Sequence, residues 1–103
     1  MDFTIKNVQE NVVGVARAIS YVIIDTRENG EYNLVRKFGR DNYPRFHIYA
    51  RQQGTDFSCS LHLDQKQPSY GGGSHAHNGE YFGPIIDEEA SRIKIALNHI
   101  VKE

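Results

Sequence analysis

Four of the chain's five histidines fall between His47 and His77, with acidic residues beside them in His62-Leu63-Asp64 and in His75-Ala76-His77-Asn78-Gly79-Glu80. Imidazole and carboxylate together are the ingredients of a divalent-metal site, or of an acid–base pair working near neutral pH. Residues two apart in extended chain project to one side, which pairs His62 with Asp64 and His75 with His77. The metal reading therefore takes His62, Asp64, His75 and His77 as ligands, with zinc as the expected ion, because neutral imidazoles and one carboxylate suit it. In the metal-free reading a histidine such as His47 is the general acid or base, and Glu80 or Asp64 orients it or shares the role. Either centre predicts a small-molecule or phosphate-containing ligand, with hydrolysis as the reaction. Gly71, Gly72 and Gly73 would let backbone amides approach such an anion, although the Gly-Lys-Ser or Gly-Lys-Thr ending of a Walker loop is absent.

A second chemistry lies partly upstream. Arg36, Lys37, Arg40, Arg45 and Arg51 face Asp41 as the only acid in that stretch, and Tyr43, Phe46 and Tyr49 are interleaved with them. Cations that neutralise phosphate beside rings that stack on bases form the footprint of an RNA or single-strand binder, using Arg36, Lys37, Arg40, Arg45, Tyr49 and Arg51. A third class is a non-catalytic module that recruits a protein through an open sheet face or edge.

The elements that must position these groups follow from periodicity. Val8, Val12, Val15, Ala16 and Ile19 recur at helical spacing after Asn7, a residue type that caps helix starts. Tyr21 to Arg27 and Glu31 to Phe38 flank Asn29-Gly30, which predicts a hairpin. After a polar loop, Phe46, Ile48 and Ala50 alternate with Arg45, His47, Tyr49 and Arg51. Phe57, Cys59, Leu61 and Leu63 alternate with Ser58, Ser60, His62 and Asp64. A connection through Gln53 to Asp56 sets His47 opposite His62 and Arg45 opposite Asp64, and even a shifted register keeps His47, His62 and Asp64 on one face. Residues 66–84 form a glycine-rich loop. Pro84 and the acidic run Asp87 to Glu89 then open a helix whose stripe is Ile86, Ala90, Ile93, Leu97 and Ile100, with Glu88 and Arg92 spaced to pair.

Helix, hairpin, hairpin, helix predicts a single α+β domain over residues 1–103: a four-stranded antiparallel sheet with both helices on one face. That order resembles the layout of double-stranded-RNA-binding domains and of small HicA-type toxins. In those toxins a Gly-Ser-His element carries a catalytic histidine. Gly73-Ser74-His75 repeats the three residue types, but after the expected fourth strand instead of near the first hairpin, so no activity is transferred.

Composition bounds the rest. The chain has 103 residues, 39% hydrophobic and 24% charged, which is the make-up of one globular domain. A net charge of −1 argues against a protein that is basic all over. The longest apolar run, Tyr21 to Ile24, is too short to cross a bilayer, and no basic-then-apolar leader opens the chain, which predicts a cytoplasmic protein with no membrane partner. The single Cys59 excludes an intramolecular disulfide or a thiolate-only zinc site and fits a small core residue.

Overall fold

The computed structural model describes residues 1–65, 79–80 (backbone) and 82–101. It is α+β: β1 (Asp2–Ile5), α1 (Val12–Ile19), β2 (Val22–Thr26), β3 (Glu31–Lys37), β4 (Arg45–Gln53), β5 (Asp56–Asp64), β6 (Gly79–Glu80) and α2 (Pro84–Leu97), with a final 3-10 turn at Asn98–Ile100. The sheet is antiparallel in the order β1-β5-β4-β3-β2, and the two-residue β6 joins β5 beyond the end of β1. The expected four strands are therefore β2 to β5. The correction is β1, which precedes the first helix, lies beside the last long strand, and departs from a helix-first layout. Its Phe3 and Ile5 pack against the core from the strand edge. Two apolar positions in four residues are too short a pattern to read as a strand without the partner that completes it.

The first helix also begins later than expected. Asn11 is its cap, accepting from the Gly14 N–H at 3.0 Å, while Asn7 has φ +61° and lies outside the helix. Val8 is buried all the same, because its N–H bonds to the Thr55 carbonyl and it bridges to Val101. Val12, Val15, Ala16 and Ile19 line the buried stripe. In α2 the stripe is Ile86, Ala90, Ile93 and Leu97. Both stripes meet Leu34, Phe46, Ile48, Ala50, Phe57, Cys59, Leu61 and Leu63 in one core, so the helices share a sheet face. Burial pushes the Cys59 thiol up to about 12, which makes it an inert core residue.

One charged group sits inside this packing. Glu89 of α2 is 3% exposed. It accepts from the Tyr21 hydroxyl at 2.6 Å and from Arg92 Nε and Nη2 at 2.7 and 3.0 Å, with Arg36 Nη1 3.4 Å away. Arg92 also donates to the Ile19 carbonyl at 2.7 Å, closing the C-terminus of α1 beside Ser20, which takes the left-handed conformation. Burial and the Glu89 carboxylate push the Tyr21 phenol well above its usual range, so it stays a donor. The pairing anticipated between Glu88 and Arg92 is thus made one residue later, by Glu89.

The second hairpin has the register read from the alternation, with Arg45 opposite Asp64 and His47 opposite His62. The ladder runs on to Gln53 and Asp56, so Gly54-Thr55 is the turn, and Gly54 supplies a φ of +62°. The sheet face away from the helices therefore carries four cross-strand rows ahead of the Gln53–Asp56 pair that borders the turn. They are Lys37–Arg45–Asp64, Val35–His47–His62, Asn33–Tyr49–Ser60–Asp2 and Glu31–Arg51–Ser58–Thr4. We call it the outer face. Among the described residues no helix is long and apolar enough to cross a membrane.

Candidate metal centre

The cross-strand rows dictate where the chemistry concentrates. Directly opposed residues on neighbouring strands bring their Cβ atoms to about 5 Å, so the facing pair His47 and His62 must touch, and Asp64, next on the same side of β5, lies within reach of both. The His47 and His62 ring centroids are 4.7 Å apart. His47 Nδ1 is 3.2 Å from Asp64 Oδ2, and His62 Nε2 is 3.1 Å from Asp64 Oδ1. One carboxylate thus bridges two imidazoles. Each of the three offers a ligand atom within 4.8 Å of the others.

The neighbours hold this arrangement. Tyr49 packs its ring 4.5 Å from His47 and 5.2 Å from His62, nearly parallel to the latter. Arg45 Nε lies 3.4 Å from Asp64 Oδ2, and its guanidinium sits 4.5 Å over the Tyr43 ring. Both imidazoles are buried, at 8% and 4% exposure, although they belong to the outer face. His47 Nε2 is buried and makes no hydrogen bond among the described residues.

No protein-family model, curated protein or solved structure matches the chain.

Burial alone would raise the Asp64 carboxyl, but hydrogen bonds from His47 and His62, and the charge those rings carry when protonated, outweigh it and hold the group well below the usual carboxylate range. A carboxyl lowered on folding stabilises the fold in full above its unfolded value of about 3.9, and the contribution is lost as pH falls through the lower folded value. Asp64→Asn removes this dependence. The difference in urea midpoint between wild type and variant should be largest at pH 5 to 7 and close below about pH 4. A constant difference across that range would show that Asp64 is not held ionised by its neighbours.

The sequence-derived candidates separate into three groups. His62 and Asp64 come together as expected, and His47, expected as an acid–base residue, stands beside them with a nitrogen facing the same carboxylate. Glu80 pairs with Leu63 in the ladder, one position from the row that carries Asp64. His75 and His77, and the glycine run before them, lie outside the described residues.

The basic and aromatic candidates do not form one stripe. Arg36 belongs to the helix side with Glu89, whereas Lys37, Arg45, Tyr49 and Arg51 are on the outer face, where Glu31, Asp64 and Asp2 interrupt the positive charge. Arg40 is exposed in the loop between β3 and β4. Two supporting residues are not singled out as site members by sequence reasoning: Tyr43, which carries the Arg45 guanidinium, and Ser60, which follows Tyr49 across the sheet. Ser60 is detectable from the alternation itself, since it precedes His62 on the same side of β5.

Proposed function

We propose that the chain binds one divalent cation, zinc by preference, through His47, His62 and Asp64, and uses it on a small phosphate-containing substrate. The observation that carries this reading is the convergence of three ligand atoms, with the carboxylate 3.1 and 3.2 Å from the two imidazole nitrogens. Ligands of a tetrahedral zinc at its usual bond lengths are separated by about 3.3 Å; the carboxylate already has that spacing to each imidazole, and the set as a whole, within 4.8 Å, would close around the ion. The donor set also fits the metal's chemistry, since two neutral imidazoles and one carboxylate make the three-ligand shell of hydrolytic zinc sites. The remaining position is left to water or to a substrate oxygen. A bound ion would polarise a phosphoryl oxygen and generate hydroxide near neutral pH. Arg45 would hold the Asp64 carboxylate in place and face the same anion.

Zinc content of the purified chain tests the reading directly. One ion per chain is expected, and zinc at a hundred times its dissociation constant should stabilise the fold by about 2.7 kcal/mol. Uptake should weaken as pH falls, because the ion must displace protons from both imidazoles. No stoichiometric ion, together with an unchanged unfolding midpoint on adding zinc, rules the proposal out.

One observation favours a metal-free variant of the same site. His47 Nε2 has no hydrogen-bond partner among the described residues, while Nδ1 is oriented by Asp64. That is the arrangement of a general base with its orienting carboxylate. Hydrolysis that persists in the presence of a chelator and disappears in His47→Gln would favour it over the metal.

A further inference from the structure

The two rows beyond the imidazoles form a shallow, open depression of about 470 Å³ on the outer face, and Tyr49 is part of its wall. Tyr49 packs on both imidazoles, so the groove begins where the proposed metal centre ends. Its volume is within the range of about 300–1,000 Å³ that small-molecule sites occupy. The lining defines what it can hold. Ser58, Ser60 and Thr4 contribute three hydroxyls, each able to donate and accept, and the Ser58 and Thr4 oxygens are 3.5 Å apart. Glu31 and Asp2 add carboxylates, and Arg51 adds the one cation among the described lining residues. Phe3, Ala50 and Cys59 complete the lining, so the surface sets hydrogen-bonding groups beside apolar ones, and the two carboxylates outnumber Arg51.

The opposite side of the centre has the reverse character. Lys37 stands across from Arg45 in the ladder, and Arg45 reaches Asp64, so this end carries one cation at the proposed ion and a second one strand further out. The outer face is therefore polarised: an anion-binding end at Lys37, Arg45 and the metal, then the Tyr49 ring, then a hydroxyl and carboxylate groove with no excess positive charge. We infer that the ligand of this site is a phosphorylated sugar, its phosphate held at the metal and Arg45 and its hydroxyl groups lying in the groove between Tyr49 and Thr4. This assignment rests on the metal reading for its anionic end and on the groove alone for its sugar end. A nucleic acid chain fits less well, because its next phosphates would fall against Glu31 and Asp2.

The test compares ligands with one phosphate monoester and different bodies. Calorimetric titration of the full zinc-loaded chain with methyl phosphate, ribose 5-phosphate and glucose 6-phosphate should show at least one sugar phosphate binding tenfold or more tighter than methyl phosphate. The double variant Arg51→Leu, Ser58→Leu alters two exposed groove positions away from the ligands. It should reduce that ratio to near one while zinc content and methyl phosphate affinity stay unchanged. Equal affinity of all three compounds overturns the inference, as does a ratio that survives the double variant, or a short single-stranded oligonucleotide binding more tightly than either sugar phosphate. Zinc content measured on the same sample separates the two ideas. Zinc bound without sugar preference defeats only the groove assignment, and sugar preference without zinc defeats only the metal.

Discussion

Asp64→Asn should abolish stoichiometric zinc binding, with affinity falling at least a hundredfold, while the chain remains folded. The side chain bridges both imidazoles, so the substitution removes the single negative ligand and turns one arm of the bridge from an acceptor into a donor aimed at a ring nitrogen. Because the carboxylate lies at the end of β5 and contributes nothing to the apolar core, the structural cost is confined to its contacts with Arg45 and the two histidines. His62→Ala should lose the ion to a similar degree. Arg45→Gln provides the contrast: it removes a neighbour of the carboxylate but no ligand, so the ion should still bind. Metal analysis after dialysis, with circular dichroism to verify folding, reads all three variants. Zinc retained at one per chain in Asp64→Asn would eliminate the carboxylate as a ligand.

Glu89→Ala is expected to be the most destabilising single change, costing about 3–5 kcal/mol, the range for removing one partner from a buried ionic network. The loss leaves the Tyr21 hydroxyl and the partly exposed Arg36 and Arg92 guanidinium groups without their shared acceptor, and it frees Arg92 from the geometry in which it closes the end of α1. Against a total stability of about 5–15 kcal/mol for a domain, this is a large share. Tyr21→Phe deletes one donor and should cost about 1 kcal/mol. Urea unfolding measures both, and a loss below 1 kcal/mol for Glu89→Ala would mean that solvent already compensates the carboxylate.

Period-two alternation makes the centre partly legible in the sequence. Arg45 to Arg51 and Phe57 to Asp64 are long enough to specify which side chains share a face, and the register follows from the turn between them. The same logic misses β1, since Asp2 to Ile5 is a strand by virtue of what it pairs with. It also misassigns the helix cap, because Asn7 and Asn11 are both suitable residues and only the bonds of Val8 to Thr55 and Val101 decide between them. Glu89 reads locally as part of an acidic helix start. That it turns inward depends on Tyr21 and Arg36 from other elements, which no local pattern reports. Local spacing pairs only His62 with Asp64, but the alternation of the two strands already sets His47 opposite His62, and the structure has that register.

The two-residue turn at Gly54-Thr55 has a kinetic consequence. All three proposed ligands belong to β4 and β5, so an ion held by them closes only that hairpin and ties no distant part of the chain. Contacts this local form early and with little loop entropy to overcome. Zinc should accordingly act mainly by accelerating refolding and change the unfolding rate little, and any hairpin surviving in the denatured ensemble would compete for the ion and blunt the equilibrium gain.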